Sequence, residues 1–169
     1  MNTGHALAAY LGYYKQYPTI NEAMEDASVR ADVTKALHES GRVLIEKYGW
    51  SAEEHGAYIE KIIQRFTNSA ITDEVTRVAR SPIRKLGAND RLVSPASQYY
   101  NLFDEIPQGL VKGIAALLLF DYKEDIEAVK LQKTIYERGI EEALLQYAQL
   151  SADHPLALAI KEQVDVLKK

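Results

Sequence analysis

Cysteine is absent from all 169 residues, which excludes disulfides and thiolate zinc sites and fits a reducing, cytoplasmic setting. Long apolar runs are absent too. The densest, 113–120, falls far short of the roughly 18 to 20 residues that a membrane span needs. The first residues show no basic segment leading into an apolar stretch, so no secretory leader is visible. No stretch alternates apolar and polar residues long enough to predict a strand, and no internal repeat or low-complexity segment occurs. The net charge of −4 argues against a nucleic-acid partner. Histidine is scarce as well. Of the four, His38, His55 and His154 have no histidine or carboxylate at metal-ligand spacing, so they read as surface residues and no metal site is expected.

What remains is an ordinary globular composition, 47% hydrophobic and 26% charged, in a length that suits one domain over residues 1–169. Its charge is unevenly spread. Between residues 77 and 91 lie five cations (Arg77, Arg80, Arg84, Lys85, Arg91) and one acid, Asp90, a local charge of +4. The rest of the chain therefore carries −8. Pairing of these cations with neighbouring acids, such as Arg91 with Asp90, competes with the reading that they bind an anion.

Helical periodicity covers nearly everything else. Leu7, Ala8, Leu11 and Tyr14 form a stripe in a first helix that Pro18 ends, because proline disfavours helix at the preceding residue. Val29, Val33, Leu37, Leu44 and Tyr48 predict a long helix over about 26–48, stopped by Gly49. Ser51 and Glu54 form a capping box ahead of a face of Ile59, Ile62, Ile63 and Phe66. A short helix is expected from Thr72 and Asp73 to about Ser81. Gly87, Asn89 and Pro95 break any period over 83–98, which predicts a long ordered loop. Pro107 opens an almost wholly apolar, central helix, and three more helices are expected over about 124–138, 140–150 and 155–167. The expected fold is all-α, an orthogonal array of roughly eight helices.

The start of the chain is unusual. Asn2 and His5, three apart, project from one side of the first helix. A chain opening abruptly on two polar side chains reads as part of a longer protein, with Met1 a supplied start. An ordinary terminus with Asn2 as helix cap is the alternative.

These residues carry a resemblance. Asn2-Thr3-Gly4-His5-Ala6 with Ala9-Tyr10-Leu11-Gly12 is similar to the end of the Lys-x-x-x-x-Asn-x-x-His signature of polyol-specific long-chain dehydrogenases. Within that family it resembles the mannitol-1-phosphate branch. The similarity runs on through Glu39-Ser40-Gly41, the 58–66 helix, and Asp73-x-Val75-x-Arg77-Val78-x-Arg80-x-Pro82-x-Arg84-Lys85-Leu86 with Asp90-Arg91-Leu92. It fades after Gly109 and Gly113-Ile114-Ala115-Ala116. Residues 80–92 are its most specific part.

The resemblance implies a helical, substrate-binding C-terminal half of an NAD-dependent enzyme that interconverts D-mannitol 1-phosphate and fructose 6-phosphate without a metal. It assigns Asn2 as amide donor to the reacting oxygen and His5 as a hydrogen-bond partner of the substrate hydroxyl or carbonyl. Arg80, Arg84, Lys85 and Arg91 are the expected phosphate ligands, Arg84 and Lys85 foremost, and Asn68 is a candidate sugar contact that core packing or turn capping explains at least as well. Arginine's planar fork suits a phosphate, and lysine adds a point charge. Three departures matter. No G-x-G-x-x-G occurs, so the N-terminal Rossmann domain that binds NAD is expected outside this chain. The signature lysine, the expected base five residues before Asn2, is missing, and Ser69 stands where proline is expected. The chain alone is accordingly expected to be inactive. A mannitol 2-dehydrogenase or hexuronate reductase relative, and a free-standing helical interaction module, remain open. No membrane or nucleic-acid partner is expected.

Overall fold

The computed structural model describes residues 2–70 and 72–169; Met1, and with it the expectation of a supplied start, lies outside them. The described residues form eleven helices: α1 (Asn2–Tyr14), α2 (Ile20–Glu25), α3 (Ala27–Tyr48), α4 (Ala52–Thr67), α5 (Val75–Val78), α6 (Pro82–Lys85), α7 (Val93–Phe103), α8 (Gln108–Leu118), α9 (Ile126–Arg138), α10 (Ile140–Ala148) and α11 (Pro155–Lys168). No strand occurs among them, only an isolated bridge between Thr19 and Glu74. The fold is all-α, as the periodicity predicts.

Local chemistry sets the boundaries. The Asp26 carboxylate accepts from Ser28 and Val29 N–H to start α3, and Gly49, at φ 67°, ends it in the left-handed region. Ser51 accepts from Glu54 N–H at the head of α4. His154 Nδ1 accepts from Leu156 N–H and opens α11, so this histidine has a capping role.

Three helices exceed expectation. α2 is only six residues long, too short to show a period. The predicted 83–98 loop is mostly helical, being replaced by α6 and α7, with only residues 86–92 irregular. Pro95 misleads because it sits in the first turn of α7, where its missing N–H costs nothing. Pro107 caps α8 rather than occupying its first turn.

Two helices lie at the centre. α1 packs against α2, α3, α5 and α8, while α8 packs against α1, α3, α7 and α11. Residues 6–11 of α1 and 113–118 of α8 are all but excluded from solvent. The two axes approach closely because Gly113 has no side chain: a Cβ there would lie 1.7 Å from Leu7 Cδ2. At the head of α8, a Cβ on Gly109 would lie 2.8 Å from Ala36 N and 3.1 Å from Ala36 Cα, both backbone atoms. No rotamer change can relieve that contact. Gly109→Ala is therefore expected to cost about 1–3 kcal/mol of overpacking, read as a lower denaturation midpoint in urea with an unchanged slope.

Candidate functional site

The start of α1 and the segment from Asp73 to Leu92 meet at one small cavity. Several tethers hold them together. Thr3 Oγ1 donates to the Arg91 carbonyl at 2.8 Å, and the buried Tyr10 hydroxyl donates to the Ala79 carbonyl at 2.8 Å. Ile20 N–H donates to the Asp73 carbonyl and Val75 N–H to the Pro18 carbonyl, at 2.9 and 3.0 Å. Leu86 and Leu92, both fully buried, anchor the irregular stretch between α6 and α7.

Ser81 adopts φ 62°, ψ 56°, a left-handed conformation that costs a non-glycine residue about 1–2 kcal/mol. Asp125, the N-cap of α9, holds it there by accepting from Ser81 N–H at 2.9 Å. Glu127 fixes the next turn by accepting from Arg84 N–H. Strain retained this way is common where side chains must be aimed; here Ser81 lies between Arg80 and the helix that carries Arg84 and Lys85.

The cavity, about 180 Å³ in volume, is lined by Asn2, His5 and Ala6 of α1 and by Arg77, Val78, Arg80, Arg84, Lys85 and Arg91. Five cations thus converge, and among the described residues no carboxylate lines the walls. Their states differ. Arg77 is paired with Asp73, and Arg91 Nε donates to Asp90 Oδ1 at 2.8 Å. Arg80 and Arg84 are exposed, and among the described residues neither guanidinium has an ion-pair partner. Lys85 is only 4% exposed, and its amine donates to the Val78 carbonyl at 2.7 Å and to the Arg80 carbonyl. Burial, then the neighbouring Arg91, Arg84 and Arg80 charges, push its pKa down to about 8. Two of its three donors are thus committed to the backbone, so Lys85 supports the cavity wall as well as charging it.

His5 is half-buried, stacked on Phe66 at 5.2 Å between ring centroids, with Nε2 3.3 Å from Asp73 Oδ2. Burial lowers its pKa; Asp73 opposes the shift, while Arg77 and Lys85 add to it. Cations beside an imidazole and a neutral amide offer the charge to pair with an anion and the donors and acceptors to meet hydroxyl groups.

Of the residues singled out in the sequence, Asn2, His5, Arg80, Arg84, Lys85 and Arg91 share this cavity. Asn68 does not line it. That exposed residue caps α4, and its Oδ1 accepts from Ala70 N–H at 2.9 Å. Nothing in the sequence marks Asp73, Arg77 as a wall residue, or Phe66 as part of the site. Asp73 and Arg77 stand four apart, a spacing that signals an ion pair on a helix but gives no hint of the histidine beside it. Phe66 reads as core from its position on the apolar face of α4.

Comparisons with known proteins agree on a single family. Residues 1–167 match the model of the mannitol dehydrogenase C-terminal domain. The chain is 68% identical over 168 residues to mannitol-1-phosphate 5-dehydrogenase of Geobacillus stearothermophilus, covering 99% of this chain and 44% of that protein. With the Bacillus subtilis (strain 168) protein of the same name it shares 45% identity over 165 residues, covering 98% of this chain and 43% of the relative. The chain thus spans less than half the length of these curated relatives. A D-sorbitol dehydrogenase in its substrate-free form superposes with a TM-score of 0.74 over the whole chain and 37% of that structure; at 15% identity this likeness concerns the fold. Fold, motif and family model converge: the chain belongs to the mannitol dehydrogenase C-terminal domain family.

Proposed function

We propose that this chain is the substrate-binding part of an NAD-dependent dehydrogenase interconverting D-mannitol 1-phosphate and fructose 6-phosphate. The observation that carries this reading is the meeting of Asn2 and His5 with five cations in one cavity that no carboxylate lines among the described residues. The names of the relatives point to the same substrate pair.

The chain's own residues do not fit a dinucleotide: they contain no glycine-rich strand-to-helix turn, and among those described the only β pairing is one bridge. NAD is therefore assigned to a Rossmann domain outside this chain, as is the base, and the chain alone is inactive. No described helix is long and apolar enough to cross a membrane, and the cysteine-free chain suits a cytoplasmic enzyme.

Within the cavity, Asn2 donates its amide to the reacting oxygen and does not titrate in doing so. His5 hydrogen-bonds a substrate oxygen. Arg84 takes the phosphate, with Arg80 and Arg91 completing the charge and Lys85 adding positive potential from the wall.

Arg84→Ala in the intact protein tests the phosphate assignment. A charge-assisted hydrogen bond contributes about 1.5–3 kcal/mol, so kcat/KM for fructose 6-phosphate should fall roughly 10- to 150-fold. The slow turnover of unphosphorylated fructose should not change. Equal losses with both sugars would remove Arg84 from the phosphate site.

A further inference from the structure

His5 has two ring nitrogens, and the structure commits one of them. Nε2 lies 3.3 Å from Asp73 Oδ2. A carboxylate only accepts, so the nitrogen facing it carries the proton. The stacked Phe66 ring covers one face of the imidazole, and among the described residues no hydrogen bond reaches Nδ1. The atom left for a ligand in the cavity is therefore Nδ1, with its lone pair.

Asp73 is built to hold this arrangement. It is not among the residues lining the cavity but stands behind two that are, His5 on one oxygen and Arg77 on the other. Its backbone is pinned by the hydrogen bond from Ile20 N–H and, two residues on, by that from Val75 N–H to Pro18. One anchored carboxylate thus orients a histidine from α1 and an arginine from α5.

We infer that Asp73 is a positioning residue that holds His5 in the Nε2–H tautomer, so that His5 accepts from a substrate hydroxyl through Nδ1 and does not donate to the carbonyl. The substrate half of this inference rests on the dehydrogenase reading above. Such partners are a general device for setting which histidine nitrogen meets a ligand. It also divides the labour in the cavity: donation to the reacting oxygen falls to Asn2, and recognition of the neighbouring hydroxyl falls to His5.

The test reads the imidazole directly. Selective 15N-histidine labelling of the intact protein, with the His5 resonances assigned by their loss in a His5→Gln variant, makes the long-range proton–nitrogen spectrum readable at this residue. Neutral His5 should show the Nε2–H pattern. Asp73→Ala should release it to a mixture of tautomers, while Arg77→Met, which leaves the carboxylate in place, should not. Asp73→Asn keeps the shape and removes the charge. Of the groups facing His5, Asp73 alone favours its cation, against Arg77 and Lys85; Asp73→Asn should therefore move the His5 titration to lower pH. In turnover of fructose 6-phosphate, Asp73→Ala should lower kcat roughly 10- to 100-fold, as losses of histidine-orienting partners do elsewhere, with a smaller change in KM.

An Nδ1–H tautomer in the unaltered protein, or a tautomer and titration indifferent to both Asp73 variants, overturns the inference. Because the spectrum is recorded without substrate, the predicted spectral response in a protein that turns over no sugar phosphate contradicts the substrate reading alone.

Discussion

Replacing Asn2 by alanine in the intact protein is expected to lower kcat for fructose 6-phosphate by about 10²- to 10³-fold, the usual cost of one lost oxyanion donor. KM should change little. A donor aimed at the reacting oxygen gains strength only as negative charge develops there, so its loss appears in kcat. Asn2 is well placed for this role. It opens α1, stands exposed at the cavity, and shares a helix face with His5.

The competing role for Asn2, a plain contribution to the helix start, is separated by a second variant. Asn2→Asp keeps the size and the acceptor oxygen, and an acidic group at a helix start is favourable by about 0.3–1 kcal/mol. Stability should therefore hold or rise. Catalysis should nonetheless fall at least as far as in Asn2→Ala, because the amide donor is gone and a negative charge faces the oxyanion. Normal turnover by Asn2→Asp would reduce Asn2 to a helix-start residue.

The second large effect lies away from the cavity. Glu39, 9% exposed in the middle of α3, accepts from Gly109 N–H at 2.9 Å and Leu110 N–H at 2.8 Å. It thereby caps the first turn of the central helix α8 from outside that helix. Neither Pro107 nor Gln108 gives α8 a side-chain cap of its own. Glu39→Ala would leave two buried donors unpaired, and each such group costs about 1–3 kcal/mol. With some relief from entering water, a loss of about 3 kcal/mol is expected, lowering Tm by roughly 6–12 °C.

Burial raises the Glu39 pKa, and the two backbone donors only partly oppose it. The folded state therefore keeps the proton at a pH where the unfolded chain has released it. Glu39's titration accordingly favours the fold most below the ordinary glutamate range, and this contribution is lost as pH rises through the raised value. Melting curves of the unaltered chain and Glu39→Ala across mildly acidic to neutral pH should reveal that component. An identical pH dependence in both would rule it out.

The sequence makes the long elements and their ends legible, because α3, α4 and α9 carry a full period together with side-chain or glycine stops. It hides α2 and α6, whose six and four residues are shorter than any period can register. Proline read as a breaker conceals α7, since Pro95 falls in the one turn that tolerates it. The cavity is half legible. Its cations crowd into residues 77–91, but that Asn2 and His5 face them depends on contacts some seventy residues apart, such as Tyr10 to Ala79. Asp73 illustrates the limit best. Its pairing with Arg77 follows from spacing, while its contact with His5 comes from the bridge that ties 18–20 to 73–75.

If the cationic cavity serves a phosphorylated ketose, the phosphate decides which sugar is turned over. NADH oxidation by the intact protein, dinucleotide domain included, tests it with fructose 6-phosphate and fructose supplied separately. Rapid turnover of the phosphorylated sugar and little of the other are expected. Preferential turnover of fructose, or of neither sugar, would contradict it.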